Sequence, residues 1–183
     1  MKFMQSEINR TLKTNFDFPH SPVYVQVATS VNNIPTIRTL RLYDVSKEGE
    51  MIFLSHTQTR KWTDLSKNPY MTVHALDKDN NQLISSGRAT LHIPAEDKNY
   101  INYWENLTQD DKKLYAGPPP NQKLETAPPF FVPEKVPATF GVIIMKPNFY
   151  EWYEVDWQDL TKSTRTQFLF GQHRWVKKKV HPA

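Results

Sequence analysis

The tetrapeptide TRKW places two cations where a helix is predicted to begin. The β-like run MIFLSHT precedes it, and the pattern becomes helical at Thr59, so Arg60 and Lys61 fall in the first turn. The helix dipole disfavours cations there unless free backbone N–H groups hold an anion. Ser55, Thr57 and Thr59 add hydroxyl donors nearby. The segment therefore predicts an oxyanion site, with the alternative that both cations point into solvent at a cost of a few tenths of a kcal/mol.

A neighbouring strand carries further cations. Arg38 and Arg41 lie in the run PTIRTLRLYDV, which the SKEG turn joins to MIFLSHT as a hairpin. Strand alternation puts Arg38, Leu40 and Leu42 on one face and Arg41 with Ile37 on the other, so one arginine shares a face with apolar side chains. Either arginine would bring a third cation to the start of the helix, although the sequence has no glycine-rich phosphate-binding loop.

These side chains need a sheet to position them, and most of the chain carries strand signals. Runs of Val, Ile, Thr and Tyr between turn sequences predict strands at 24–30, 35–45, 50–57, 70–78 and 82–93. One helix interrupts them at about 59–67 and ends at Asn68-Pro69. The β pattern resumes at 139–155, 164–172 and 174–180. We therefore predict a mainly β fold, a β-barrel with flanking helices.

The remaining segments are helical or irregular. Residues 2–14 predict a short leading helix, a second helix is expected from Pro94 to residue 107, and a third starts at Thr108 with a T-x-x-D capping pattern. Half of the fourteen prolines lie at about 116–137, which predicts a long surface loop. Because the late strands are too few for a core of their own, residues 1–183 are predicted to form a single domain.

Composition excludes several kinds of site. The 183 residues are 38% hydrophobic with five Trp, which is enough for one core. The absence of cysteine excludes disulfides, zinc–thiolate sites, iron–sulfur clusters and thiol nucleophiles. The histidines have no metal-ligand spacing, so no metal is predicted. Any redox chemistry would need a bound cofactor.

Charge and hydropathy narrow the choice of partners. The net charge is +4, and much of the excess lies in the tail RWVKKKV, so we expect no nucleic-acid partner and a solvated strand edge at 177–179. A nucleic-acid-binding barrel remains a weaker alternative, which salt-dependent oligonucleotide binding would reveal. No run approaches about 18 apolar residues, and the N-terminus lacks an apolar signal core. We therefore expect no membrane partner and a cytoplasmic location.

The order of these segments resembles a known family. PTIRTL, MIFLSHTQTRKWTDLSKNP, NQLISSGRATL and ATFGVIIMKPNFYEW, followed by a strand with Trp175 and a terminal VHP, are similar to the pyridoxamine 5′-phosphate oxidase-related proteins. The similarity covers roughly residues 20–183, and YAGPPP suggests the oxidase-like branch whose members mostly lack an assigned substrate. The resemblance implies an FMN-binding split barrel that forms a homodimer with FMN at its interface.

The resemblance also assigns cofactor-binding residues on two strands. It implies that Arg38 reaches the FMN phosphate and that Thr39 and Leu40 offer backbone groups to the flavin. Leu54 and Ser55 match a pair that contacts the cofactor from the following strand.

Further cofactor contacts are implied at the helix and on later strands. Thr59, Arg60 and Lys61 match the family's S/T-R-K motif, which binds the phosphate and ribityl end of FMN. Gln82 matches a glutamine that contacts flavin from the partner subunit, and Trp152 matches an aromatic residue beside the isoalloxazine. The residues alone leave open an exposed turn position for Gln82 and core packing for Trp152.

Other positions depart from the family. STRTQFLF lacks the Arg-x-His element of the true oxidases: only Arg165 remains, and Gln167 stands where an FMN arginine is expected. Tyr43 replaces a lysine, and Asp110 and Asp111 lie where the family offers cations. We therefore expect an FMN-dependent oxidoreductase acting on a small molecule other than pyridoxamine phosphate, with no general acid or base identified. The alternative is a non-catalytic flavin or tetrapyrrole binder used for storage or sensing.

Overall fold

The structure is a computed structural model that describes residues 2–118, 120, 122–123 and 131–181. These residues contain nine β-strands and four α-helices. The helices are α1 (Lys2–Phe16), α2 (Arg60–Lys67), α3 (Ile101–Glu105) and α4 (Gln109–Ala116). The strands are β1 (Val23–Val31), β2 (Ile34–Leu42), β3 (Asp44–Val45), β4 (Met51–His56), β5 (Tyr70–Leu76), β6 (Gln82–His92), β7 (Phe140–Glu154), β8 (Thr164–Gly171) and β9 (Arg174–Val180).

All nine strands belong to one antiparallel sheet. Its order is β2-β1-β5-β6-β7-β4-β3, with β8 paired to β7 and β9 paired to β8. The first half of the long strand β7 pairs with β4, and its second half pairs with β8. The sheet curls so that its two ends approach, and Tyr43 N after β2 donates to Ile52 O on β4 at 2.9 Å. The predicted mainly β fold with flanking helices is confirmed, and the late strands complete the first sheet.

Alternation along β1 and β2 sets which side chains reach the interior. Val23, Val25 and Val27 on β1 are buried, and the residues between them face outward. On β2, Arg38 lies on the inward face with Leu40 and Leu42, and Arg41 is exposed on the outward face. Arg38 is therefore the arginine that shares a face with apolar side chains.

Two groups of buried side chains flank the sheet. The larger one fills the barrel and includes Val25, Phe53, Leu83 and Tyr150, with Ile8 of α1 packed against it. The smaller one lies beneath α3 and α4 and includes Ile52, Leu54, Trp104, Leu107, Phe140 and Val142. Strand β4 is buried on both faces because it lies between these two groups.

The helices follow the sequence predictions with one correction. α2 ends at Lys67 before Asn68-Pro69, and Thr108 caps α4 by accepting from Asp111 N at 3.1 Å. The predicted continuous helix from Pro94 is wrong, because Asp97 accepts from Asn99 N and starts a 3₁₀ turn, leaving only the five-residue α3 beyond it. Local side-chain hydrogen bonding competes with the helix at that point.

The predicted loop at 116–137 lies partly outside the described residues. Ala116 ends α4, and the described parts at 117–118, 120, 122–123 and 131–137 contain no helix or strand. Across the described part of the chain, no helix is long and apolar enough to cross a membrane. The same residues contain no group of three or more His, Asp or Glu side chains that could hold a metal ion.

Candidate functional site

The start of α2 presents backbone donors that no side chain caps. Thr59 adopts an extended conformation, but its hydroxyl contacts Ser55 Oγ at 3.0 Å and donates to His56 O at 2.9 Å instead of capping the helix. The helical hydrogen bonds begin with the N–H groups of Trp62 and Thr63. The N–H groups ahead of them, at Arg60 and Lys61, have no intrahelical acceptor and can hold an anion.

Arg38 reaches this region from β2 and is fixed by four polar groups. Its Nη1 donates to Thr29 Oγ1 at 2.7 Å, and its Nη2 donates to Thr36 Oγ1 at 2.6 Å and to Asp64 Oδ2 at 3.2 Å. A longer bond joins Nη1 to the Val27 carbonyl at 3.4 Å. This network explains how a strand facing the core can carry an arginine.

Asp64 is the carboxylate that organises the network. It is 8% exposed and accepts hydrogen bonds from Thr29 at 2.9 Å and Thr36 at 3.1 Å in addition to Arg38. Burial raises the pKa of Asp64, but these hydrogen bonds and the charges of Arg38 and Arg60 outweigh burial, so the pKa is lowered. The ionised carboxylate offsets part of the Arg38 charge and fixes the direction of its guanidinium.

Lys61 and Arg60 differ in their surroundings. Lys61 is half-buried, and burial together with repulsion from Arg38 lowers its pKa to about 8. Its ammonium group has no ion-pair or hydrogen-bond partner among the described residues. Arg60 has a 68% exposed side chain, 3.9 Å from Asp64 Oδ1. An unpaired, partly desolvated ammonium beside a second cation is an arrangement that a bound anion would stabilise.

Strand β4 forms the wall beside these cations. Ser55 is 2% exposed and pairs with Gly141 on β7, and Leu54 packs its side chain into the smaller core group. A Cβ atom on Gly141 would collide with the ring of Trp62. The glycine therefore allows α2 to lie close against the sheet. We call the region formed by Arg38, Ser55, Thr59, Arg60 and Lys61 the basic site.

Two of the predicted flavin contacts on β2 do not point into the basic site. Thr39 lies on the outward face, with Oγ1 3.0 Å from Gln26 Nε2, and Leu40 packs against the core. Arg41 is exposed near the ring of Tyr43 and likewise points away from Arg38. The resemblance implies flavin contacts through the backbone of residues 39 and 40, and these stay a prediction.

Gln82 and Trp152 also lie apart from the basic site and from each other. Gln82 pairs with Tyr153 at the start of β6, three strand spacings or about 14 Å from β2. Trp152 points to the opposite face of β7 and packs edge-on against Phe16, with ring centroids 6.3 Å apart. The flavin contacts assigned to Gln82 and Trp152 stay predictions, and within one chain neither side chain approaches Arg38.

The Gln82 face of the sheet carries a further polar cluster. Arg165 pairs with Tyr153 across the strands, its guanidinium lies 4.6 Å from the Tyr153 ring centroid, and its Nε is 3.8 Å from Glu151. Gln167 donates to the same carboxylate at 2.6 Å. Glu151 is only 7% exposed, so Arg165 and Gln167 compensate a buried charge.

Known proteins resemble this chain in structure, although comparisons of sequence found no match. No protein-family model matches the chain, and no curated protein matches it in sequence. A pyridoxamine 5′-phosphate oxidase-related, FMN-binding protein from Nostoc punctiforme has a similar structure, with a TM-score of 0.79 at 18% identity over 97% of this chain and 96% of that one. This chain has the split-barrel fold of those proteins. PhzG of Burkholderia lata is similar at a TM-score of 0.75 and 15% identity, covering 97% of this chain and 91% of that one.

Within the split barrel, Tyr43, Tyr103 and Tyr115 pack against the smaller core group, and we call them the tyrosine cluster. Tyr43 and Tyr103 pack edge-on, with ring centroids 5.8 Å apart. Tyr115 packs edge-on against Phe140, with ring centroids 5.2 Å apart. Burial raises the pKa of Tyr43 and raises those of Tyr103 and Tyr115 to about 12. These phenols are neutral at physiological pH and can donate hydrogen bonds.

Sequence reasoning missed the partners that hold the basic site in place. Asp64 lies four residues after Arg60 on α2. This helical spacing predicts the longer ion pair of Asp64, with Arg60, and gives no sign of the pair with Arg38. Thr36 lies two residues before Arg38, so strand alternation could have placed both hydroxyl and guanidinium on one face. Thr29 and Gly141 gave no local signal, because their contacts depend on strand pairing.

Proposed function

We propose that this protein binds FMN, with the phosphate at the basic site, and acts as an FMN-dependent oxidoreductase on a small molecule. The observation that carries the proposal is the unpaired Lys61 ammonium beside Arg38 at the uncapped start of α2. A phosphate monoester fits these donors because it accepts charge-assisted hydrogen bonds from cations and helix N–H groups together. The split-barrel neighbour from Nostoc punctiforme, described as FMN-binding, supports the choice of ligand.

The protein's own residues would orient the cofactor. When bound, FMN would supply the hydride or electron transfer. Lys61, Arg60 and the free N–H groups at the start of α2 would hold the phosphate end, and Asp64 would keep Arg38 in position. The backbone of β2 at residues 39 and 40 would then meet the flavin.

We propose that a second copy of the chain completes the site. Gln82 and Tyr153 lie on the outward face of the sheet, which also exposes Tyr24, Ile37 and Tyr70 at 63%, 69% and 60%. Such a set of exposed apolar side chains is typical of an interaction surface. In a two-fold dimer, Gln82 of one chain could approach the basic site of the other. Tyr153, which shares the face of Gln82, is then a better-placed aromatic contact than Trp152.

Replacing Ile37 by Glu is expected to convert a homodimer into a monomer and to weaken FMN binding with it. Ile37 is 69% exposed, so the substitution should leave the fold of the single chain intact. Light scattering after size exclusion measures the mass, and FMN fluorescence measures the affinity. Leu114→Glu, on a 64% exposed residue of α4, is the matched control and should change neither. A wild-type protein that is monomeric with FMN bound would contradict the shared site.

FMN is expected to bind about a hundredfold or more tightly than riboflavin, because two charged contacts to phosphate contribute roughly 1.5–3 kcal/mol each. Fluorescence titration of both ligands measures the ratio of the two affinities.

Arg60→Ala should weaken FMN binding about tenfold and change the unfolding free energy of the ligand-free protein by less than about 1 kcal/mol. Lys67→Ala, at the other end of α2, controls for the loss of one positive charge from the helix. Equal affinities for FMN and riboflavin would remove the phosphate assignment.

The affinity for FMN is expected to fall about tenfold between pH 7 and pH 9, since Lys61 loses its charge as the pH passes its pKa of about 8. The stability of the ligand-free protein should move the opposite way. Because the folded-state pKa is below the usual 10.5, the unfolded chain binds more protons between these values, and stability rises with pH. Lys61→Arg should bind FMN with a flat profile over this range. A wild-type profile equally flat would show that Lys61 does not contact the anion.

The tyrosine cluster supports an unphosphorylated substrate with an aromatic ring or polar edge. Neutral phenols donate single hydrogen bonds but offer no charge to a substrate phosphate. PhzG, with the same fold, is described in complex with tetrahydrophenazine-1-carboxylic acid, an unphosphorylated ring compound. Oxidation of reduced nicotinamide or of a ring substrate by the FMN-loaded protein would distinguish an oxidoreductase from a carrier that only stores flavin.

A further inference from the structure

His56 is a buried ionisable side chain to which neither the basic site nor the tyrosine cluster gives a role. It is the last residue of β4 and is 4% exposed. Strand alternation puts its ring on the same face as Ile52 and Leu54, which belong to the smaller core group beneath α3 and α4. A histidine buried at such a place needs hydrogen-bond partners for both ring nitrogens.

One ring nitrogen of His56 holds the turn that leads into α2. Gln58 N donates to His56 Nδ1 at 3.1 Å. Because Nδ1 accepts, the proton of the neutral ring lies on Nε2. The His56 carbonyl accepts from Thr59 N at 3.2 Å and from Thr59 Oγ1 at 2.9 Å. The side chain and backbone of His56 together therefore fix the turn at 57–59, directly ahead of the free N–H groups of α2.

The other ring nitrogen is buried without a partner. Within the described part of the chain, His56 Nε2 makes no hydrogen bond. Burial lowers the pKa of His56, the backbone of Gly117 opposes this effect, and the charge of Lys61 adds to it. Gly117 and Lys61 therefore both lie close to the ring. Leaving the Nε2 proton unpaired costs stability, which a small movement of the ring toward the Gly117 carbonyl would recover.

Gly117 is the residue at which α4 ends. Its N–H donates to Lys113 O at 3.0 Å and caps the helix. The imidazole of His56 thus lies between two helix termini, the start of α2 through Gln58 and the end of α4 through Gly117. Nε2 has almost no exposed surface at this position, which disfavours a direct contact between Nε2 and a bound ligand.

We propose that His56 is a positioning residue that couples FMN binding at the basic site to the end of α4. The inference rests on the proposed phosphate site. A phosphate held by the N–H groups of Arg60 and Lys61 fixes the turn at 57–59 and, through the Gln58 N–H, the imidazole ring. It also neutralises Lys61, whose charge lies beside the ring. His56 Nε2 then donates to the Gly117 carbonyl.

The coupling reaches the tyrosine cluster. Tyr115 lies two residues before Gly117 on α4 and packs edge-on against Phe140, with ring centroids 5.2 Å apart. Phe140 is in turn the residue on β7 that pairs with His56. FMN binding therefore fixes one wall of the region that the tyrosine cluster lines. Because coupling is reciprocal, a substrate that orders this wall also strengthens FMN binding.

Hydrogen exchange of the α4 amides, with and without saturating FMN, measures the coupling in the full chain. FMN should slow exchange at 109–117 about threefold or more in the wild-type protein, the effect of one net hydrogen bond. His56→Asn should lose this protection, because its amide oxygen accepts from Gln58 N but no donor replaces Nε2. Its affinity for FMN should fall only about threefold. Protection of α4 that persists in His56→Asn would overturn the proposal.

Two further variants separate positioning from direct contact with the ligand. His56→Phe loses both ring nitrogens and should bind FMN about tenfold more weakly. His173→Asn is the control, since His173 is exposed in the β8–β9 turn and its φ of 63° suits asparagine. It should change neither the affinity nor the protection. A loss of affinity in His56→Asn as large as in His56→Phe would place Nε2 on the ligand and overturn the coupling.

The wild-type protein provides a measurement that needs no variant. With ¹⁵N-labelled histidine, the Nε2 proton of His56 should move downfield when FMN saturates the protein, because the proton enters a hydrogen bond. An unchanged resonance would overturn the proposal even if every variant folds poorly.

Inorganic phosphate distinguishes failure of the coupling from failure of the proposed function. As the bare anion it should protect α4 in the same way as FMN, at higher concentration. Protection by phosphate without any FMN binding would support the coupling and contradict the proposed cofactor. FMN binding that leaves α4 equally protected in wild type and His56→Asn would contradict the coupling alone. A protein that binds neither would overturn both.

Discussion

Replacement of Asp64 by alanine is expected to lower the unfolding free energy by about 3 kcal/mol, the largest stability effect that we predict at the basic site. The substitution leaves the Arg38 guanidinium, whose side chain is only 20% exposed, without its carboxylate. It also removes the shared acceptor of the Thr29 and Thr36 hydroxyls. We expect the lower end of the range for broken buried pairs because Arg38 retains some contact with water. Urea unfolding of the ligand-free protein measures the change.

Two further variants separate the ion pair from general damage. Arg60→Ala removes the exposed partner of the same carboxylate, at 3.9 Å, and should cost less than about 1 kcal/mol. The double variant Arg38→Met with Asp64→Ala should be more stable than Asp64→Ala alone, because no unpaired buried charge remains. If the double variant is less stable than the single one by the full cost of Arg38→Met, the two side chains are not coupled.

The pH dependence of stability provides an independent test of Asp64. Its folded-state pKa is lowered from 3.8, so its contribution is present above that value and is lost as the pH falls through the folded pKa. The wild-type protein should therefore lose stability in this acid range more steeply than Asp64→Asn, which has no proton to take up. Parallel curves for the two proteins would contradict the lowered pKa.

The strands and the start of α2 could be predicted from sequence because their signals are local. Strand runs rich in Val, Ile and Thr lie between turn sequences, and α2 ends at Lys67, as Asn68-Pro69 predicts. The single predicted strand at 35–45 is wrong in one respect, since it divides after Leu42 into β2 and β3. The division arises because β2 pairs with β1, and β3 pairs with β4 at the other end of the sheet. No local pattern encodes such a change of partner.

The basic site was predictable where its residues are neighbours in sequence, and for Arg38 through the predicted hairpin, which left Arg38 and Arg41 as alternatives. Thr59, Arg60 and Lys61 lie together because they are consecutive, and Ser55 is four residues away on the adjoining strand. Arg38 and Asp64 are 26 residues apart, and the sheet must form before they meet. Trp152 shows a second limit of prediction from sequence. A shift of one residue along a strand moves a side chain to the opposite face of the sheet. The sequence could not distinguish Trp152 from Tyr153 as the neighbour of Gln82.

The protein is expected to oxidise pyridoxamine 5′-phosphate at least about a thousandfold more slowly than a dedicated oxidase, even when saturated with FMN. A site that lacks a charged partner for its substrate loses several kcal/mol of transition-state binding, and about 4 kcal/mol corresponds to that factor. The resemblance assigns substrate handling to an Arg-x-His element and to an arginine and a serine on the helices that correspond to α3 and α4. The present chain has no Arg-x-His element, and α3 and α4 contain no arginine or serine; the cations of α4 are Lys112 and Lys113, and Lys113 is paired with Asp110.

The geometry shows what occupies those positions instead. Arg165 is held by Glu151 and the ring of Tyr153, which leaves its charge partly compensated. At the place of the family lysine, Tyr43 packs against Tyr103. Asp111 lies close enough to raise the pKa values of both Tyr43 and Tyr115, so its negative charge reaches this region. A substrate phosphate would therefore meet phenols and a carboxylate, and the carboxylate would repel it.

The assay supplies pyridoxamine 5′-phosphate and oxygen to the FMN-saturated protein and follows pyridoxal 5′-phosphate and hydrogen peroxide together. Equal amounts of both products would be required for true turnover, which guards against slow chemical oxidation. Tyr43→Lys with Asp111→Asn restores a cation and removes the repulsion, and should raise kcat/KM at least about tenfold if the missing charge is the cause. Wild-type turnover near the roughly 10⁴ M⁻¹s⁻¹ lower end of ordinary enzymes would contradict the prediction. In that case Arg165 would have to leave Glu151 to bind the phosphate, and Arg165→Ala would then abolish the activity.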